Sequence, residues 1–286
     1  MPAMVSPRLA IGLLVAASSL AAALSTCIDG ARGTAYGYEP GTPTGPENWG
    51  KLSPEYSLCG EGKQQSPIDI VTKEVVPKPD LESLDRTFSP ANATLVNDGH
   101  DISLKFKPGT VGNLTVGGKA YDFEKLHWHA PSAHTVNGQR FPLELHLVHR
   151  SADGGVAVIA ILYKVGGADS LYPQLRPKLE VMAADKCNFA QQESRVEAGL
   201  VRMPRSVQRR AGSYFRYTGS LTAPPCTENV VWSVLARVRQ ITKEQLDQLT
   251  APLPRGAAGD ARPVQPLNGR TVEFLNVTDS IISFPM

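Results

Sequence analysis

The stretch that decides the fold lies between Tyr121 and His149: Tyr121-Asp122-Phe123-Glu124-Lys125-Leu126-His127-Trp128-His129, and then Phe141-Pro142-Leu143-Glu144-Leu145-His146-Leu147-Val148-His149. Both runs alternate and are bounded by turn residues, which predicts two strands. On a strand, successive side chains point to opposite faces, so His127 and His129 share one face, and Glu144 and His146 share a face of the next strand. If the two strands pair, three imidazoles converge. Three neutral imidazoles suit Zn²⁺ and leave a fourth tetrahedral position for water, the catalytic rather than the structural arrangement. Glu144 meets the need for an acceptor that fixes a ligand's tautomer. The competing reading is a His-x-His of ordinary, partly satisfied surface histidines, and spacing alone leaves both open. The chain has six histidines, and five of them fall between residues 127 and 149.

Working outward, Asp101 to Lys107, Leu114 to Val116, Val156 to Val165, Tyr214 to Thr218 and Val230 to Val238 also read as strands. Ser170 to Ala184 and Thr242 to Leu249 read as helices, the second with Thr242 as its cap and Glu244 and Gln245 in its first turn. The expected fold class is α+β, mainly β. It is a single domain, residues 36–286, on a large twisted, mostly antiparallel sheet with peripheral helices. The 25 Gly and 23 Pro are scattered through the 286 residues without a repeat, as a strand-and-turn protein requires.

With 42% hydrophobic residues the chain can build a sizeable core. Its 29 Lys and Arg against 27 Asp and Glu give no basic field of the kind that binds nucleic acid. Residues 1–26 read as a signal peptide: Arg8 is the positive start, Leu9 to Leu24 is uncharged and apolar, and small residues follow at Ala21, Ala22, Ala23 and Ser25. Cleavage is expected near residues 23 to 26, with residues 27–35 a short linker. A retained anchor, or a lipid on Cys27 after Leu24-Ser25-Thr26, are the alternatives. No other stretch is apolar enough to span a bilayer, so a soluble mature chain in the secretory pathway, secreted or at the cell surface, is expected. Asn92, Asn113 and Asn276 open glycosylation sequons. Four Cys in an exported chain, without a Cys-x-x-Cys, favour disulfides over metal thiolates, and counting does not pair them.

Several separated motifs share one resemblance. They are Gln65-Ser66-Pro67-Ile68-Asp69-Ile70, Asn97-Asp98-Gly99-His100, Leu126-His127-Trp128-His129 and Glu144-Leu145-His146-Leu147-Val148-His149. Tyr217-Thr218-Gly219-Ser220-Leu221-Thr222-Ala223-Pro224-Pro225-Cys226 and Arg262-Pro263-Val264-Gln265-Pro266-Leu267 complete the set. In this order they resemble the α-class carbonic anhydrases of secreted eukaryotic type, over about Tyr36 to Arg270. That family is itself the reference case of a catalytic zinc held by three histidines.

The resemblance implies a zinc at the bottom of a conical cleft in a twisted sheet, held by His127, His129 and His146, with Glu144 supporting His146. It implies that Thr222 accepts a hydrogen bond from zinc-bound hydroxide, and that Val148, Val158, Leu221, Val230 and Trp232 form the apolar wall for carbon dioxide. His100 matches the proton-shuttle histidine, with Tyr38 and Asp98 near the water that links it to the metal. The implied reaction is reversible hydration of carbon dioxide to bicarbonate and a proton, by attack of zinc-bound hydroxide. It also implies a disulfide between Cys59 and Cys226; Cys27 and Cys187 are left to pair with each other, to pair between chains or to remain free. His134 and His149 match non-ligand positions and are expected to make structural hydrogen bonds.

Two positions depart from the family pattern. Ala133 stands where a glutamate usually orients the threonine hydroxyl. A hydrogen bond to a charged group is worth roughly 1.5 to 3 kcal/mol, and losing one preorganised donor costs about 10² to 10³ in rate. Lys125 stands where a glutamine usually accepts from the first ligand, and such losses cost about 10- to 100-fold in metal affinity or activity. A reduced rate follows unless another acceptor substitutes. The alternative function is a secreted, catalytically weak carbonic-anhydrase-like binding or storage protein. A zinc protease is disfavoured, since no His-Glu-x-x-His occurs.

Overall fold

The computed structural model describes residues 26–29, 35–84, 86, 88–208, 212–253, 259–277 and 284. Residues 1–25 of the leader on which the signal-peptide, anchor and lipid readings rest lie outside them, as does Thr278 of the third sequon. No helix among the described residues is long and apolar enough to cross a membrane.

The alternation read in the sequence builds the sheet. Its principal strands are β1 (Cys27–Asp29), β2 (Ala91–Asn97), β3 (Ile102–Phe106), β4 (Lys119–His129) and β5 (Leu143–Arg150). They continue as β6 (Val156–Val165), β7 (Gln192–Val201), β8 (Tyr214–Ser220), β9 (Glu228–Leu235) and β10 (Glu273–Leu275). Across the sheet the order is β1-β7-β2-β3-β4-β5-β6-β9-β8-β10. These pairs are antiparallel except β6 with β9, so the mostly antiparallel expectation holds.

Period-two alternation divides each central strand between two apolar clusters. Leu126, Trp128, Leu145, Leu147, Ile159 and Ile161 bury one face beneath the helices α1 (Tyr172–Ala184) and α2 (Lys243–Thr250). Val148, Val158, Ala160, Val230, Trp232 and Val234 bury the other. Helix α1 turns Leu175, Leu179 and Met182 inward at helical spacing. Thr242 caps α2 as expected: its hydroxyl accepts from the Gln245 N–H at 3.1 Å, and the Gln245 side chain accepts from the Thr242 N–H at 3.4 Å.

The cysteines form two disulfides. Cys59 pairs with Cys226, as the resemblance implied, and Cys27 pairs with Cys187, which resolves the alternatives left by the sequence. The segment expected as a linker is structured at its start, because Cys27–Asp29 pairs with β7 as an edge strand. Arg262 ties distant motifs together. It is 2% exposed, and its guanidinium donates to Gln65 Oε1, to the Ser66 carbonyl and to the Cys59 carbonyl at 2.7 to 2.9 Å. Asn92, Asn113 and Asn276 all face solvent.

Candidate metal centre

Register brings the histidines together. In the β4–β5 pair His127 lies opposite His146 and His129 opposite Glu144, on the face away from Leu126 and Trp128. The three rings stand with centroids 4.7 to 5.0 Å apart. His127, His129 and His146 are 8%, 3% and 1% exposed, so this is a buried cluster and not a set of surface imidazoles.

The hydrogen bonds decide which nitrogens are open. Glu144 accepts three N–H groups: His146 Nε2 at 2.7 Å, His134 Nδ1 at 2.6 Å and the His134 backbone N–H at 2.7 Å. His146 therefore presents Nδ1 inward. Burial alone would raise the Glu144 pKa, but His134 and His146 and their hydrogen bonds hold it well below the usual carboxylate range. It stays a carboxylate. Burial pushes the His146 pKa down to about 4, against the pull of Glu144, and pushes His127 well below its ordinary value with help from Lys125, His129 and His146. Both are neutral near pH 7, the state in which imidazole binds metal.

A metal ion fits this donor set. His146 Nδ1 and His127 Nε2 face each other at 3.2 Å, close to the edge of about 3.3 Å expected for a tetrahedron with Zn–N of 2.0 to 2.1 Å. His129 Nε2 is buried without a hydrogen-bond partner. Two other groupings of potential ligands occur among the described residues. In one, His134, Glu144 and His146 satisfy each other; in the other, Cys27 and Cys187 are joined in their disulfide.

His129 is held by a residue that sequence reading missed. Its Nδ1–H donates to the Asp260 backbone carbonyl at 3.0 Å, and the Asp260 carboxylate lies 3.5 Å away. The other Asp260 oxygen accepts from the Ala130 N–H at 2.8 Å. Burial alone would lower the His129 pKa, but Asp260 first, then Asp101 and Glu144, push it up to about 9. A metal must displace that proton. Asp101 was missed too: its Oδ1 is buried without a partner, and burial with the nearby Asp98 raises its pKa to about 6. Asp101 directly precedes β3, whose alternation was the available signal for it; Asp260 sits in irregular chain and had none.

The two departures have physical consequences here. His127 Nδ1 is buried without a partner, as expected where Lys125 replaces an acceptor. Thr222 is buried, 7% exposed, on the segment following β8. Ala133 is 1% exposed and offers only a methyl group.

The segment bearing Thr222 is braced by a chain of polar contacts. His134 Nδ1 donates to Glu144, so its Nε2 accepts from the Tyr217 hydroxyl at 2.7 Å. Tyr217 then accepts from the Ser66 hydroxyl at 2.8 Å, and Ser66 Oγ accepts from the Ser220 N–H at 3.0 Å. Trp232 closes the site from the apolar side, with its ring 4.8 Å from that of His146 and its Nε1–H donating to the Ser220 carbonyl at 3.0 Å. Val148, Val158 and Val230 cluster with Trp232, and Leu221 packs against them.

His100 sits apart from the trio, in the turn between β2 and β3. Its N–H donates to Asp98 Oδ1 at 2.9 Å, and its ring stacks on Tyr36 at 4.1 Å with Tyr38 edge-on at 6.2 Å. His149 is buried on the core face, where its Nδ1 donates to the Leu147 carbonyl at 3.0 Å.

Comparison with known proteins agrees with this geometry. The family model for eukaryotic-type carbonic anhydrase matches residues 44–276. Alpha carbonic anhydrase 7 of Arabidopsis thaliana is 43% identical over 239 residues, covering 84% of either chain. A crystal structure of dioscorin complexed with ascorbate superposes with a TM-score of 0.80 at 37% identity, over 86% of this chain and all of the dioscorin. The Thermovibrio ammonificans α-carbonic anhydrase, solved with the inhibitor sulfanilamide, gives 0.73 at 34% identity, over 85% of this chain and all of that one. With the family's sequence pattern running through the strands that carry the three histidines, this chain belongs to the α-carbonic anhydrase family.

Proposed function

We propose that the chain is an exported zinc enzyme that catalyses reversible hydration of carbon dioxide to bicarbonate and a proton. The observation that carries this reading is the buried trio of His127, His129 and His146, whose ligand nitrogens lie within 4.8 Å of one another, with Glu144 fixing the tautomer of His146. Bound there, zinc supplies the Lewis acidity that lets water ionise near neutral pH, carbonic anhydrases being the standard case.

The remaining work falls to the chain. The apolar surface of Val148, Val158, Leu221, Val230 and Trp232 favours an uncharged substrate over water. Thr222, on the segment braced through Ser66, Tyr217, His134 and Glu144, orients the attacking oxygen with its hydroxyl. Its precision is reduced by the missing acceptor at Ala133. His100 takes up the released proton and passes it to solvent, the proton-carrying role histidine commonly serves. Asp98 holds the His100 turn, and Tyr38 lies beside the ring. The two disulfides suit an oxidising, exported setting, and the exposed Asn92, Asn113 and Asn276 are the glycan acceptors.

The second reading is a carbonic-anhydrase-like binding or storage protein. Ala133, Lys125 and the similarity to an ascorbate-binding dioscorin favour it. The intact ligand set favours the enzyme. Metal analysis tests the shared premise: purified protein should contain one zinc per chain and His146→Ala almost none. A wild type that stays metal-free after incubation with zinc would sink the enzyme reading.

A further inference from the structure

The turn that carries His100 is held from two sides. On one side His100 stacks on Tyr36. On the other, the loop 185–191, between α1 and β7, lays Phe189 against Gly99. A Cβ placed on Gly99 would stand 2.7 Å from Phe189 Cβ, 3.1 Å from Cγ and 3.3 Å from Cδ1. Phe189 therefore occupies the space a side chain at 99 would need, and Gly99 is required both for that approach and for its φ of +88°.

The loop is itself fastened. Cys187, two residues before Phe189, is bonded to Cys27 of the edge strand. At the loop's start Asp185 accepts from the hydroxyls of Thr26 and Ser194. Cys27 and Cys187 are only half-buried at the sheet edge, whereas Cys59 and Cys226 are 8% and 0% exposed beside Trp49 and Tyr56. A thiol reagent therefore meets the first disulfide well before the second.

We infer that Phe189, fastened by the Cys27–Cys187 disulfide, is a positioning residue for the proton-carrying His100. This rests on the proposed role of His100 in carbon dioxide hydration. A dithiol opens the fastening: its thiolate attacks one sulfur, its second thiol resolves the mixed disulfide, and the reagent leaves as a disulfide. Cys27 and Cys187 together take up two electrons and two protons. The loop is then held by hydrogen bonds, each worth about 1 kcal/mol net, and Phe189 leaves Gly99 for part of the time. Proton hand-over slows in proportion, while the metal and the apolar wall are untouched.

The test compares wild type, wild type treated with dithiothreitol, Phe189→Ala, Phe189→Leu and Cys27→Ser/Cys187→Ser. Thiol mapping verifies that Cys59 and Cys226 remain bonded. Amide hydrogen exchange is read at Gly99 and His100, and kcat and kcat/KM for hydration are read at low and high imidazole. Phe189→Ala, the double serine variant and the reduced protein should exchange faster at 99 and 100. They should lose about threefold in kcat, as for a turn competent a third of the time, with kcat/KM unchanged and imidazole restoring the rate. Phe189→Leu should lie near wild type. Unchanged exchange at Gly99 and His100 in Phe189→Ala would overturn the proposal, as would an equal fall in kcat and kcat/KM that imidazole does not restore. If the zinc-loaded wild type shows no hydration, the functional reading fails by itself, and the exchange data still decide whether Phe189 holds the turn.

Discussion

Ala133 is buried between Ser132 and His134, in the segment that feeds Glu144 and Tyr217, yet contributes nothing that can accept a hydrogen bond. Restoring an acceptor with Ala133→Glu should raise the hydration rate, by up to the factor of about 10² to 10³ that loss of one preorganised donor costs. Stopped-flow kcat checks this, and an unchanged rate would mean that Thr222 is already oriented by another group. Lys125→Gln should give the stranded His127 Nδ1 an acceptor and tighten zinc binding by about tenfold, read by competition with a chelator. The convergence of the histidine trio was legible because a strand fixes alternate faces and the residues lie 19 apart at most, and the family resemblance then made it a ligand set. Asp260 was not, because it reaches His129 from irregular chain 131 residues away. The bracing through Tyr217 and Ser66 was likewise hidden, since those contacts join segments 83 and 151 residues apart.

Among the elements, β4 was read from alternation, its first half burying Tyr121 and Phe123 between exposed Ala120 and Asp122, while β5 and β6 are buried on both faces over most of their length. Four of the ten principal strands escaped: the three-residue β1 and β10, too short to show a period, and β2 and β7. In β7 only alternate residues such as Ser194 and Val196 are buried, charged Glu193, Arg195 and Glu197 intervene, and Gly199 follows a break in register. In β2 the small and polar residues of Ala91 to Asn97 give little period. On β5, alternation places His149 on the core face against Phe123 and Phe88. Burial, and then Arg86, depress its pKa to about 3. An unfolded histidine titrates near 6.5, so the stability that neutral His149 contributes is full above about 6.5 and is lost as pH falls toward 3. His149→Phe should therefore flatten the fall in unfolding free energy across that window by about 1.4 kcal/mol per pH unit. Urea denaturation at several pH values measures it, and parallel wild-type and variant profiles would contradict the burial account.

For the molecule as a whole, the separated motifs proved to be two ends of the same contacts. The Gln65–Ile70 and Arg262–Leu267 segments meet through the Arg262 guanidinium and through the Gln265 N–H, which donates to the Pro67 carbonyl at 2.7 Å. Composition indicated a soluble β-rich chain for a substrate that is not nucleic acid, and the motif order indicated the family. Neither indicated that Cys27 and Cys187 would join the N-terminal strand to the loop beside His100, because a disulfide depends on three-dimensional approach that spacing does not encode. The central claim is that the buried trio serves carbon dioxide hydration in spite of Ala133 and Lys125. Stopped-flow hydration by zinc-loaded wild type beside His146→Ala tests it most directly. The account predicts a rate above the uncatalysed reaction that is lost in the variant; a zinc-loaded wild type no faster than His146→Ala would contradict it.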